Sequence, residues 1–166
     1  MATQTSTLPP PNLAAIEAAH QRIAPRIHRT PVLTSSSLNE LAGAEIFFKC
    51  ENLQKTGSFK IRGATNAVFS MSDEEAQHGV VAPSSGNHAA ALSLAARWRG
   101  IPAYLVMPSN SSSVKKRAVE AYGGKITECE PTMASREATA AEVMQRTGAH
   151  LVHPYNDVRV TAGQGT

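Results

Sequence analysis

A chain of 166 residues with 42% hydrophobic and 17% charged residues can bury one core of its own and is too apolar to be disordered beyond its first dozen residues. Its net charge of +3 is spread along the chain, which leaves no case for a nucleic-acid or anionic-membrane partner. Cys50 and Cys129 have no CxxC neighbour and no histidine pair at ligand spacing, which argues against a disulfide framework or a zinc site, and both read as small buried hydrophobes in strands.

Residues 1–11 end in Pro9-Pro10-Pro11 and read as a flexible tail with a stiff, extended end. They carry neither a basic region nor an apolar one, and no later run reaches membrane-spanning length, so a cytoplasmic location is expected. From Asn12, a plausible N-cap, Leu13, Ile16, Ala19 and Ile23 recur at helical spacing as far as Pro25. Arg29–Leu33 reads as a turn into a short strand, Ser35–Leu41 as a short helix stopped by Gly43, and the alternating, aromatic Ala44–Glu51 as a strand.

Phe59 to about Met71 is expected to form a helix packed through Ile61, Ala64, Ala67 and Val68, with Gly57-Ser58 as its cap and Lys60 at its opening. Four apolar runs follow, at 79–82, 103–107, 125–129 and 150–153. Each gap holds one helix, carried by residues 86–99, 112–122 and 133–147. Ser84/Ser85, Ser111–Ser113 and Thr132 stand at the starts, and Gly100, Gly123-Gly124 and Gly148 at the stops. Strands alternating with single helices need crossover connections. The fold class is therefore α/β, an open, mainly parallel sheet with helices on both faces.

Ligands of such sheets bind beyond the carboxyl ends of the strands, where Ser84-Ser85-Gly86-Asn87-His88 falls. Exposed amides at a helix start there suit a carboxylate or a phosphate, although the same composition also makes an ordinary capped helix. The loop is not a GxSxG elbow, since Ala82 or Pro83 stands where glycine is needed, and Walker and Rossmann patterns are absent. His20, His28 and His78 read as solvated and His150 and His153 as structural, and no cluster suggests a metal.

Thr56-Gly57-Ser58-Phe59-Lys60-Ile61-Arg62-Gly63-Ala64, preceded by Glu51–Lys55 and followed by the Ser84–His88 loop, resembles the cofactor-lysine region of the fold-type II pyridoxal-phosphate enzymes. Within these it is most similar to the serine racemase and threonine/serine dehydratase family. Ala121–Gly124, His153-Pro154-Tyr155 and Ala162–Thr166 extend the likeness. The resemblance implies pyridoxal 5'-phosphate held as a Schiff base on Lys60, which then serves as base on one face of the substrate Cα. It puts Phe59 against the pyridine ring and Asn87 on the ring's 3′-oxygen. Ser84, Ser85, Gly86 and His88 fall around the substrate carboxylate, and Ser85 falls where the racemases exchange a proton on the opposite face. Arg62, which reads as a surface arginine or a partner for Glu51, stays outside the active set.

The resemblance also implies a domain division: residues 12–50 as the N-terminal part of the large domain, 51–155 as the small α/β domain, and 156–166 as the start of the return to the large domain. The chain then reads as the N-terminal part of the enzyme. Divalent-metal ligands, the cofactor-phosphate loop and a homodimer belong to the full-length form, and Gly123-Gly124 is a helix stop rather than a second phosphate cradle. The expected reaction is dehydration or racemisation of small serine- or threonine-type amino acids, with the fragment alone possessing little activity. β-Replacement of the cysteine-synthase type and a truncated, non-catalytic interaction partner are the competing readings.

Overall fold

The computed structural model describes residues 10–166, so residues 1–9 of the expected tail lie outside it. Asn12 Oδ1 accepts the Ala15 amide at 2.9 Å and starts α1 (Leu13–Ile23), which buries Ala19 and Ile23. β1 (Val32–Leu33) and β2 (Phe48–Lys49) pair antiparallel around α2 (Ser36–Ala42), and Gly43 ends that helix at φ 64°.

The strand expected over residues 44–51 is thus only two residues long. β1 offers no more partners, the Ile46 amide turns to Asn39 Oδ1 at 2.9 Å, and beyond Cys50 the chain coils into a 3₁₀ turn, Glu51–Leu53. Cys50 accordingly lies half-buried outside any strand, whereas Cys129 is buried in one.

Four strands form the main sheet: β3 (Val80–Pro83), β4 (Ala103–Pro108), β5 (Gly124–Cys129) and β6 (His150–Leu151). All are parallel, in the order β5-β4-β3-β6. Their side chains alternate between two apolar layers. Val80, Ala82, Leu105 and Met107 pack with α3 (Lys60–Ser70), α5 (Asn87–Arg99) and Val119 of α6 (Ser113–Ala121). Val81 and Val106 pack with Ala140 and Val143 of α7 (Met133–Thr147) on the other face. Helices on both faces make the central strands apolar throughout, as the sequence pattern requires.

Caps follow the sequence at Ser112 and Thr132, and Gly100 and Gly148 close helices at φ 75° and 72°. Gly123, at φ 89°, turns the chain after α6, and a Cβ on Gly124 would lie 2.3 Å from Ser93 Oγ. This pair is therefore a stop and a packing contact. The short α4 (Asp73–Ala76) was not expected, although Ser72 and Glu75 form a reciprocal capping box that the S-x-x-E spelling announces.

Helix α3 is enclosed, with Ile61 through Val68 all buried. α5 covers one side, and α1 and α8 (Val158–Gln164) cover another. α8 approaches closely because both helices present glycine: a Cβ on Gly63 would lie 2.7 Å from the Val160 carbonyl, and one on Gly163 would lie 2.6 Å from the Arg62 carbonyl. Those obstacles are backbone atoms, which cannot swing aside. Gly163→Ala is expected to destabilise the fold by about 1–3 kcal/mol, the usual cost of overpacking, measured as a lowered midpoint in urea denaturation.

Candidate active site

Strand order reverses at β3: the chain proceeds through β4 and β5 on one side and then returns to place β6 on the other. The loops leaving β3 and β6 therefore part at their carboxyl ends and open a crevice, the topological switch point of a doubly wound sheet. Ser84, Ser85 and Gly86 line it from β3, and His153, Pro154, Tyr155 and Asn156 from β6. With Met133, Arg136 and Glu137 of α7 they enclose a cavity of about 600 Å³.

The β3 loop departs from expectation in one respect. Neither serine caps α5; Gly86 holds the N-cap position and no side chain satisfies the first turn. Ser84 Oγ instead accepts the Gly86 amide at 3.4 Å. The free amides at the start of a 13-residue helix are an open site for a negative oxygen. Asn87 is exposed there, and His88, only 3% exposed, points inward.

His88 Nε2 donates to the Val152 carbonyl at 3.0 Å, and Nδ1 is buried without a partner among the described residues. Burial, opposed by that carbonyl, lowers its pKa from 6.5 to about 4. The imidazole is neutral at neutral pH, and its only N–H is spent on the strand.

Lys60 reaches the same segment from the opposite side. Its Nζ donates to the Pro154 carbonyl at 3.0 Å, and burial holds its ammonium below the ordinary lysine range. The Phe59 ring, 42% exposed, lies with its centroid 5.2 Å from Nζ. Val152–Pro154 thus ties the α3 lysine to the α5 histidine.

The approach to Lys60 is rigidly placed. Arg62 is 5% exposed and grips Glu51 through paired hydrogen bonds of 2.8 Å, and Thr30 Oγ1 adds another of 2.6 Å. The Arg62 hydrogen bond is the main reason that the Glu51 carboxyl titrates below its usual range. Arg62 is therefore a buried partner of Glu51 rather than a surface residue. Gln54 accepts the His28 amide at 2.8 Å and returns a bond to the His28 carbonyl at 2.7 Å, like a strand partner.

Between these anchors and the lysine, Thr56 has φ 63°, a costly value for a β-branched residue. Thr56 Oγ1 and Ser58 Oγ are buried without partners among the described residues. Ser58 does not cap α3, whose N-cap position falls on Phe59.

Sequence reasoning missed Arg136. It lines the cavity beside the serine loop, and its Nε is buried without a partner among the described residues. No local pattern marks it, since α7 enters the crevice only through the fold. His153 also lines the cavity, where the sequence suggested a structural residue alone. Among the described residues no group of three or more His, Cys, Asp or Glu side chains is placed to hold a metal, and no helix is long and apolar enough to cross a membrane.

The uncapped start of α5 and the desolvated Lys60 thus stand on either side of the Val152–Pro154 segment, beside the switch point of an α/β sheet. The chain belongs to the pyridoxal-phosphate dependent enzyme family, whose model matches residues 23–166. It is 60% identical over 149 residues to the β-hydroxyaspartate dehydratase of Paracoccus denitrificans, an alignment covering 90% of this chain and 47% of that protein. It is 58% identical to the serine racemase of Arabidopsis thaliana, with 93% and 47% covered.

Among solved structures, maize serine racemase superposes with a TM-score of 0.90 at 48% identity, over 93% of this chain and 47% of that one. The T.th. threonine deaminase superposes at 0.85 and 43% identity, over 94% and 49%. The α/β fold with its parallel sheet is that of these fold-type II enzymes. The chain spans about half the length of the curated relatives it matches.

The buried state of His88 sets a pH dependence. The unfolded chain takes up this proton near pH 6.5 and the folded one only near pH 4. Stability is therefore full above the unfolded value and falls as the pH drops through that window, by about 3 kcal/mol in all. His88→Gln, which keeps a donor toward Val152, is expected to remove this component. Urea midpoints of both forms between pH 7 and 4 should converge as the pH falls.

Proposed function

We propose that this chain contributes the cofactor lysine and the substrate-carboxylate cradle of a pyridoxal-phosphate enzyme that dehydrates or racemises β-hydroxy amino acids. One observation carries the reading: Lys60, half-buried and with a carbonyl instead of a carboxylate for a partner, sits across the Val152–Pro154 segment from the uncapped start of α5. The surroundings suit the cofactor. The Phe59 face is open beside Nζ, and Thr56 Oγ1 and Ser58 Oγ have hydrogen-bonding capacity to spare within four residues of the lysine.

Lys60 Nζ would hold the cofactor's aldehyde carbon and, once displaced by the substrate amine, take the Cα proton. Burial favours this by raising the neutral fraction of the amine. When bound, pyridoxal phosphate supplies an electron sink for the pair of electrons left at Cα. Phe59, exposed beside Lys60, would lie against the ring, and Asn87, exposed in the first turn of α5, would donate a hydrogen bond to it. The hydroxyls of Ser84 and Ser85 with the amides of Ser85, Gly86 and His88 would hold the substrate carboxylate, the Ser84 amide being engaged by the Ala82 carbonyl. The His88 contribution is its backbone, because its ring N–H is already engaged.

Ser85 Oγ would return a proton to the opposite face in the racemisation branch. Loss of the β-hydroxyl, protonated so that it leaves as water, would be the competing outcome. The relatives named as a dehydratase, racemases and a deaminase support this pair of outcomes over β-replacement.

Arg136, whose buried Nε has no partner among the described residues, adds a donor to the cavity beside Glu137, and would suit a substrate with a second carboxylate, such as a hydroxyaspartate. The dehydratase relative is named for that amino acid. Malonate is expected to shift the NMR amide signals of Ser85–Asn87 at concentrations several-fold lower than acetate does, and Arg136→Ala should abolish the difference. Equal affinities in the parent chain would remove Arg136 from the substrate site.

Borohydride reduction in the presence of pyridoxal phosphate, followed by peptide mapping, tests the central assignment. The pyridoxyl group should be found on Lys60 in preference to the other lysines and be lost in Lys60→Ala. Equal incorporation into parent and variant would overturn it.

A further inference from the structure

The turn leaving β6 is built on one side chain. His153 Nδ1 accepts the Asn156 amide at 2.9 Å and the Tyr155 amide at 3.4 Å, and the imidazole stands edge-on to the Tyr155 ring with centroids 4.5 Å apart. Pro154 lies inside this loop. It has no N–H of its own, so the hydrogen bonds on either side of it are what orient its carbonyl. That carbonyl is the acceptor for Lys60 Nζ.

We propose that His153 is a positioning residue for Lys60: with Nδ1 unprotonated it folds residues 153–156 so that the Pro154 carbonyl meets the lysine amine, and protonation of the ring releases both. This deepens the reading of Lys60 as the cofactor lysine and rests on it. His153 acts through the turn, and its proton state sets whether the amine is held.

The geometry requires a neutral imidazole with its proton on Nε2, because a proton on Nδ1 would face two N–H groups. The surroundings bear on that state from every side. Asp157, on the same segment, and Glu137, on α7, favour the charged ring, while burial disfavours it more and holds its pKa below the usual 6.5. Arg136 on α7 lines the same cavity. His88 on α5 is close enough to feel the His153 charge, and Lys60 on α3 also acts on His88.

Asp157 cannot pair fully with His153, since its carboxylate also accepts from Arg159 at 3.3 Å and from the Arg159 amide at 2.8 Å. The turn is therefore closed at neutral pH and opens in acid, below the ordinary histidine range.

The test is a residue-resolved NMR titration of the labelled 166-residue chain without cofactor, in parent, His153→Asn and His153→Ala forms. Asparagine places Oδ1 where Nδ1 accepted and carries no titratable proton. In the parent chain the Asn156 amide should lose protection by about ten-fold, as for a local opening, and the Lys60 Cε signal should move, both at the midpoint of the His153 ring nitrogens. His153→Asn should keep the neutral-pH Lys60 signal across the midpoint at which the parent switches, above the region near pH 4 where His88 takes up its proton, and His153→Ala should show the parent's switched signal already at neutral pH.

A Lys60 signal that ignores the His153 titration in the parent chain overturns the proposal, and so does a His153→Asn chain that still switches. Should His153→Ala fail to fold, the parent and asparagine forms decide the matter between them. No cofactor is present in this experiment. Failure of borohydride trapping would therefore count against the cofactor assignment, and a flat titration against His153 alone.

Discussion

Two carbonyl groups two residues apart, those of Val152 and Pro154, hold the site together. One accepts from His88 at the head of α5 and the other from Lys60 at the head of α3. Packing of α3 against α5 brings residues 60 and 88 into one neighbourhood, and these bonds fix both side chains on one short segment. A buried imidazole and a desolvated amine each lose strong hydration on folding, so an unmade partner at either end would cost more than the bond itself contributes. The short β6 matters for this reason: its pairing with β3 fixes where the two acceptors lie.

Lys60 Nζ is paired with a carbonyl and not with a carboxylate. A carboxylate beside Lys60 would stabilise the ammonium and raise its pKa. The nearest acid along the approach, Glu51, is instead saturated by Arg62 and Thr30. Arg62 keeps that anion occupied and so away from the Lys60 amine.

Much of this architecture is written in local spelling. Serine, threonine and asparagine at helix starts, glycine at helix ends and apolar runs at regular separation are short-range effects, and they lead to the parallel sheet and to both loops of the site. What the sequence conceals depends on distance or on a missing neighbour. The pattern of residues 44–51 is that of a strand, but a strand exists only where another chain segment offers partners, and β1 offers two residues. Ser58, Ser84 and Ser85 have the composition of caps. The backbone turns their hydroxyls elsewhere, which leaves the helix starts open as a binding site demands. Arg136 and His153 became visible only when α7 and the β6 exit were folded against the serine loop, a juxtaposition of about 50 and 70 residues that no local pattern encodes.

The glycine-to-glycine seam between α3 and α8 acts as a detent. Neither helix can slide along its axis by even one position, because the next residue on each would drive a methyl or larger group into the main chain opposite. Lys60 is consequently not free to advance or retreat with its helix alone. Any stroke that carries it toward or away from the start of α5 must move a two-helix slab as one piece.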